Sequence, residues 1–293
     1  MVSDPGIDAR QLRRARERAA PQYGRAAVLP REVAARMLGR LDVVRLPPGA
    51  VADLGCGTGE GLRLLAQRFR DRLLVGTDEV PGLLPRCHRP ALERLWQRMV
   101  GGASHAVAAH PHRLPLRPGS VALAWSNLAL HAFEHPAEAL REALLALRPG
   151  GLLSFSTLGP DTLRELRASW GPQAGVRVHA FTDMHDLGDA LVRTGFADPV
   201  MDMDLITLTF DTVEALAGEL RHLGWSNASR ARPRELTSPG RWRAMALQYE
   251  QLRDGGRLPA SFEIVYGHAW KPEQPRRTAG GVDVVRIHRR APT

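Results

Sequence analysis

Residues 51–59 run Val51-Ala52-Asp53-Leu54-Gly55-Cys56-Gly57-Thr58-Gly59. A short apolar stretch that carries one acid is followed there by glycines at every second position. Glycine has no Cβ, so the backbone N–H groups of such a loop can approach a ligand closely where the chain enters a helix. The segment predicts a strand, a glycine loop and a helix start that together form a cofactor pocket. The alternative is a plain glycine turn between strand and helix.

The spacing of the glycines indicates the kind of cofactor. A dinucleotide-binding loop would need glycine at position 60, where the chain has Glu60. An acid there would repel a pyrophosphate, so the loop suits a ligand without phosphates. Asp78 ends the next apolar segment, where its carboxylate can accept both ribose hydroxyls of a nucleoside or, alternatively, cap a helix. The loop and the two acids, Asp53 and Asp78, resemble the S-adenosylmethionine site of class I methyltransferases.

Apolar segments that alternate with amphipathic ones predict the fold. Helical patterns over residues 61–70 and 136–147 separate some of the predicted strands. This alternation is typical of an α/β fold with a doubly wound, mostly parallel, Rossmann-like sheet. The seven predicted strands are residues 51–54, 73–78, 106–109, 121–126, 152–157, 200–210 and 261–268.

The pattern also predicts a domain organisation. Residues 1–48 form an N-terminal helical arm, and residues 49–271 form the methyltransferase domain. An arginine-rich helical insertion at about 211–259 joins the last two strands, at the sheet edge where ligands bind, and is interpreted as a lid. Residues 272–293 are rich in Pro, Gly and Arg and are predicted to be a mobile tail, in which residues 282–287 could add an edge strand.

Composition excludes several classes of protein. With 44% hydrophobic residues a packed core is expected, and two cysteines give no disulfide framework or metal site. The net charge of +9 favours an acidic partner, whereas the lack of a basic block interleaved with aromatics argues against nucleic acid. No signal peptide and no apolar stretch of membrane-spanning length are visible, so we expect a cytoplasmic protein without membrane contact.

A more specific resemblance extends from about Ile7 to Lys271. The chain is similar to the malonyl-acyl-carrier-protein O-methyltransferases of biotin synthesis. The glycine loop is shared by a very large superfamily, but the later segments are far more specific. They are Ala124–Leu130, Phe155–Leu166, Asp183–Leu191, Gly195–Met203 and Phe262–Trp270.

The resemblance implies methyl transfer from S-adenosylmethionine to the free carboxylate of a malonyl group carried by acyl carrier protein. A carboxylate, with a pKa of about 4, is ionised at neutral pH and needs no general base. The absence of a recognisable catalytic triad, metal motif or carboxylate pair is consistent with this reaction. Two alternatives stay open: a methyltransferase with another small-molecule or protein substrate, and a non-catalytic assembly or binding protein of the same fold.

The resemblance also implies site residues. On the substrate side, Arg232 or Arg234 would contact the malonyl carboxylate or the carrier protein, and His131 would line the pocket; the alternatives are solvated arginines and a packing histidine. Tyr23 would close over the cofactor or pack half-buried in the arm. The cofactor residues would be Asp53, Gly55, Cys56, Gly57, Gly59, Asp78, His110, Asn127 and Leu128.

Several positions depart from the family pattern. His110 replaces an acid that would accept the adenine amino group, and the lost hydrogen bond would cost about 0.5–1.5 kcal/mol. Ala122 replaces an acid at the start of the fourth strand. Pro85 falls where a helix is expected and should shorten it, and Pro30 should interrupt the arm helix. These departures raise the question of whether activity is retained.

Overall fold

A seven-stranded sheet forms the centre of the computed structural model, which describes residues 6–87 and 104–273. The strands lie in the spatial order third, second, first, fourth, fifth, seventh, sixth. They are β1 (Ala50–Leu54), β2 (Leu74–Asp78), β3 (Ser104–Ala108), β4 (Val121–Ser126), β5 (Leu147–Leu158), β6 (Ala197–Phe210) and β7 (Leu258–Trp270).

The direction of the strands identifies the fold class. Strands β1 to β5 are parallel to one another, and β7 is antiparallel to both β5 and β6. The predicted doubly wound, mostly parallel seven-stranded sheet is therefore confirmed. The strand order reverses between β1 and β4. In open α/β sheets, the crevice at the carboxyl ends of the strands at this reversal binds ligands.

Helices pack on both faces of this sheet. Alternate residues of one strand face opposite sides, so Val51 joins one apolar core and Ala52 the other. The first core also contains α3 and α4, and the second contains α5 and α7. The α-helices of the described residues are α1 (Ala9–Ala19), α2 (Tyr23–Ala26), α3 (Val28–Arg40), α4 (Glu60–Arg68), α5 (Pro136–Ala146), α6 (Arg164–Trp170), α7 (Met184–Thr194), α8 (Val213–His222) and α9 (Pro239–Glu250).

Pro30 and Pro85 lie in different kinds of helix. Pro30 lies within the first turn of α3, where an amide hydrogen would have no helical partner, so the expected interruption of the arm helix was wrong. Pro85 lies inside a 3-10 helix, Pro81–Cys87, which reaches the last described residue before position 104, so the expected shortening stays a prediction. The predicted tail beyond Glu273, including its possible edge strand, lies outside the described residues.

The arm and the insertion meet at the carboxyl edge of the sheet. The insertion consists of α8, a non-helical stretch over 223–238, and α9, so it is less helical than predicted. Ile7 forms an antiparallel bridge with Ser229, and the Asp8 amide donates to the Ala228 carbonyl at 2.8 Å. Arm helix α1 also contacts α8 of the insertion. Among the helices of the described residues, none has the length and apolar character needed to cross a membrane.

Candidate functional site

A cavity of about 320 Å³ opens at the carboxyl ends of β1 and β4. The glycine loop forms its floor, and residues of the arm and of the insertion line its other sides. Of the predicted site residues, the cavity brings together Tyr23, Asp53, Gly55, Cys56, Gly57, Asn127, Leu128 and His131.

Hydrogen bonds to the end of β2 hold the glycine loop in place. The amides of Gly55 and Cys56 both donate to the Thr77 carbonyl, at 2.8 and 3.0 Å. The Gly57 amide donates to the Asp78 carboxylate at 3.0 Å. The Cys56 thiol is buried, and a hydrogen bond with Cys87 together with burial raises its pKa, so it is not poised as a nucleophile.

Two glycines of the loop are required by space as well as by conformation. Gly55 has a φ of +79°, and a Cβ there would lie 2.4 Å from the Cβ of Ala129. Gly59 has a φ of +83°, and a Cβ there would lie 2.9 Å from the Cα of Cys87. Gly59 does not line the cavity, so its contribution is to let the chain turn tightly into α4.

Asp53 presents an unusual carboxylate to the cavity. It is buried, and one of its oxygens, Oδ2, has no hydrogen-bond partner among the described residues. Burial, and secondarily the charge of Asp78, raise the pKa of Asp53 to about 8. A positively charged ligand group in the cavity would satisfy this oxygen and favour its ionised form.

Asp78 lies below the loop, and its carboxylate is already engaged by two backbone amides and one arginine. It accepts from the amides of Gly57 and Val80 and pairs with the Arg16 guanidinium, whose Nη2 lies 2.7 Å away. Its side chain has no exposed surface. Arg16 also pairs with Glu79 at 3.5 Å. Ribose hydroxyls could bond to Asp78 only after Arg16 has moved, so the described conformation has this part of the site closed.

A small cavity of about 20 Å³ lies behind Asp78, where the resemblance places adenine. Arg16 lines both this cavity and the larger one. His110 lines neither; it is half exposed, with its Nε2 3.9 Å from a carboxylate oxygen of Glu79. The predicted adenine contact of His110 therefore stays a prediction, and in the described conformation this ring faces Glu79 and solvent.

Asn127 and Leu128 connect the end of β4 with the arm. The Asn127 amide donates to the Pro30 carbonyl of α3 at 2.9 Å and accepts from the Ser156 hydroxyl at the same distance. Leu128 has a φ of +47°, and its amide donates to the same hydroxyl. A strained backbone at this position is typical of a site where packing imposes the geometry.

His131 and Tyr23 line the side of the cavity that faces the arm and the insertion. His131 stands edge-on to Phe181 and Trp225, with ring centroids 5.7 and 5.9 Å away. Burial lowers its pKa to about 3, so the ring is neutral at physiological pH. Burial also raises the pKa of Tyr23, which therefore stays protonated and able to donate a hydrogen bond.

The two arginines predicted for the substrate lie outside this cavity. Arg232 pairs with Asp8 at 2.9 Å and donates to the Ser229 carbonyl, which ties the insertion to the arm. Arg234 is exposed. The structure thus brings neither to the glycine loop: Arg232 lines a separate groove beside the cavity, and Arg234 lies at the surface. The expected contact of Arg232 or Arg234 with a carrier protein stays a prediction.

Sequence reasoning missed four residues that shape the cavity. Arg16 belongs to a segment with many other arginines, so no sequence signal selects it, and Arg177 acquires its position only through tertiary packing. Phe181 and Trp225 come from separate regions, and only tertiary packing brings their rings around His131.

Comparisons with known proteins agree with this architecture. The family model described as "Methyltransferase domain" matches residues 52–155. The malonyl-[acyl-carrier protein] O-methyltransferase of Laribacter hongkongensis is 44% identical over 97% of each chain. The enzyme of the same name from Methylovorus is also 44% identical, over 97% of this chain and 96% of that one. This chain belongs to the malonyl-[acyl-carrier protein] O-methyltransferase family.

Solved structures of more distant proteins share the fold. The YcgJ protein of Bacillus subtilis is 12% identical, with a TM-score of 0.54 over 83% of this chain and 99% of that one. An S-adenosylmethionine-dependent methyltransferase of Thermotoga maritima is 16% identical, with a TM-score of 0.50 over 89% and 99%. At these identities the likeness shows the fold alone.

The site of this family member fits S-adenosylmethionine. Gly57 has a φ of +54°, and a Cβ there would meet nothing within 4 Å, so its backbone faces open space that a ligand can use. The unpartnered Asp53 oxygen complements a ligand that carries positive charge. Asp53, Gly55 and Gly57 would hold the methionine end. Asp78 would hold the ribose once Arg16 has moved.

Proposed function

We propose that this protein transfers a methyl group from S-adenosylmethionine to the free carboxylate of a malonyl thioester on acyl carrier protein, an early step of biotin synthesis. The observation that carries the proposal is the extent of the similarity. Relatives named for this reaction match 97% of the chain, well beyond the methyltransferase match at 52–155. The match thus includes the arm and the insertion, which line the cavity opposite the glycine loop.

The chemistry suits the groups that line the cavity. S-adenosylmethionine supplies a methyl group on a positively charged sulfur. A malonyl carboxylate is ionised at neutral pH and attacks without losing a proton, so the protein has to bind and orient it and to exclude water. His131, neutral and with a strongly lowered pKa, would be a poor base, in keeping with a reaction that needs none.

The arm and the insertion together form the cover of the cavity, and this cover is suited to a substrate that is attached to a protein. We propose that the insertion at 211–259 acts as a lid and as the docking surface for an acidic carrier. Its described surface carries exposed arginines at positions 230, 234, 241 and 243. Charge complementarity would raise the association rate at low salt, and this gain should fade as the Debye length falls from about 10 Å at 0.1 M to 3 Å at 1 M.

The test is a methyl-transfer assay with labelled S-adenosylmethionine. We expect transfer to malonyl-carrier protein and slower transfer to malonyl-coenzyme A. A malonyl-carrier analogue in which an amide replaces the distal carboxylate of the malonyl group should accept no methyl group, because a neutral amide nitrogen is a poor nucleophile without a base. Binding of S-adenosylhomocysteine without transfer to any malonyl thioester would contradict the proposed acceptor, while leaving the cofactor assignment intact.

A further inference from the structure

A second hollow adjoins the cofactor cavity. This outer groove, of about 380 Å³, lies between α6, α8 and the stretch that leads into α9. Trp170, Val213, Leu216 and Trp242 give it a largely apolar lining. The groove and the cavity are neighbours, since both are lined by Leu166, Arg177, Ala217, Leu220 and Asn227.

Arg177 stands at the junction of the two hollows. Its Nε donates to the Ala174 carbonyl and its Nη1 to the Thr237 hydroxyl, each at 2.9 Å. The guanidinium carbon lies 4.7 Å from the centroid of the Trp170 ring. The third nitrogen, Nη2, is buried and has no hydrogen-bond partner among the described residues. A buried guanidinium nitrogen without an acceptor is costly, so its position indicates a ligand that supplies one.

Arg177 is the cation best prepared for an anionic ligand. Three arginines are found among the residues that line the cavity. Arg16 is committed to Asp78 and Glu79, and Arg221 is exposed at the end of α8. Arg177 is held by two hydrogen bonds and a stacked ring, so it would lose little conformational freedom on binding a carboxylate.

Resting on the methyl transfer proposed above, we propose that the outer groove admits the thioester arm of the carrier, and that Arg177 selects substrates with an ionised distal carboxylate. The apolar lining suits the thin chain of the arm, and the exposed arginines of the insertion lie on the segment that forms one side of the groove. Arg177 would then receive the carboxylate as it passes from the groove into the cofactor cavity.

The test measures binding without turnover, by quenching of tryptophan fluorescence in the presence of S-adenosylhomocysteine. The probes are malonyl-pantetheine and its analogue with the distal carboxylate replaced by an amide. The wild type should prefer the malonyl compound by roughly ten- to a hundredfold, the value of a charge-assisted hydrogen bond. Arg177→Met should bind both compounds equally, whereas the control Arg193→Met, an exposed arginine of α7, should keep the preference.

A second variant tests the route. Val213 lines the outer groove but not the cofactor cavity, so Val213→Phe should narrow the groove and weaken binding of both compounds, while the melting-temperature shift produced by S-adenosylhomocysteine stays unchanged. Retention of the charge preference by Arg177→Met, equal binding of both compounds by the wild type, or unimpaired binding by Val213→Phe would each overturn the inference. If the wild type transfers methyl groups but one of these results is found, the roles of Arg177 and the outer groove are refuted and the proposed reaction stands. A charge preference without methyl transfer would refute only the proposed reaction.

Discussion

The two sides of the cofactor cavity differ in how their residues are assembled. The floor comes from one continuous segment, β1, the glycine loop and α4, and its amides are hydrogen-bonded to the Thr77 carbonyl and the Asp78 carboxylate of β2. The cover comes from the arm and the insertion, which meet through residues more than 200 positions apart in the chain, Asp8 with Arg232 and Ile7 with Ser229. Local sequence therefore dictates the floor, whereas tertiary contacts between distant segments create the cover.

The largest effect is expected from a methyl group added to the floor. Gly55→Ala should lower the free energy of unfolding by about 2–5 kcal/mol, because the residue has a positive φ and its Cβ would overlap Ala129. The matched variant Gly57→Ala has the positive φ but meets open space, so it should cost only about 1–2 kcal/mol. Urea denaturation of both variants measures the difference. Equal losses would mean that the loop can shift to relieve the overlap.

Much of the floor could be predicted from sequence for this reason. The strand, the glycines and Asp53 follow one another within nine residues, and chain geometry alone places them together. Asp78 was placed correctly at the end of β2, but its pairing with Arg16 depends on how α1 docks and leaves no mark in the pattern. The same holds for Arg177, whose importance depends on packing between α6 and the insertion, and for Arg232, which contacts Asp8 instead of the cavity.

The next prediction concerns the contact through which the cover closes the floor. Arg16→Met should bind S-adenosylhomocysteine about tenfold more tightly, because the ligand no longer competes with Arg16 for the Asp78 carboxylate. The free variant should also be less stable, since a buried carboxylate loses its charged partner. Calorimetric titration measures the affinity. The control is Arg13→Met, on the same helix, whose exposed side chain pairs with Glu17.

Weaker binding by Arg16→Met, with Arg13→Met unchanged, would show the opposite role. Arg16 would then turn towards the cofactor after it enters and hold it from the arm. The cover would contribute to cofactor affinity instead of opposing it, and the contrast between the two sides would be smaller.

A pH titration addresses the floor directly. Asp53 is protonated in the free protein below about pH 8, and a cationic ligand favours its ionised form, so binding should release a proton. The affinity for S-adenosylmethionine should rise by up to about tenfold per pH unit below pH 8 and level off above it. Asp53→Asn should lose this pH dependence. The ligand's own titration affects the wild type and the variant alike, so it cancels in the difference between their two affinity profiles. Because the pKa of Asp53 is raised in the folded state, the ligand-free wild type should also lose stability as the pH rises from about 4 to about 8.

The smallest effect is expected where two parts of the cover meet. Arg232→Met removes an ion pair with Asp8 in which the arginine side chain is 19% exposed, and partly exposed pairs contribute little, about 0.2–1 kcal/mol. The global free energy of unfolding should therefore change by less than about 1 kcal/mol. Hydrogen exchange should nevertheless be faster at the amides of Asp8 and Arg230, which pair the arm with the insertion. The amides of Gly55 and Cys56 should exchange as in the wild type, because the floor is fastened independently of the cover. Faster exchange on both sides of the cavity would show that cover and floor open as one cooperative unit.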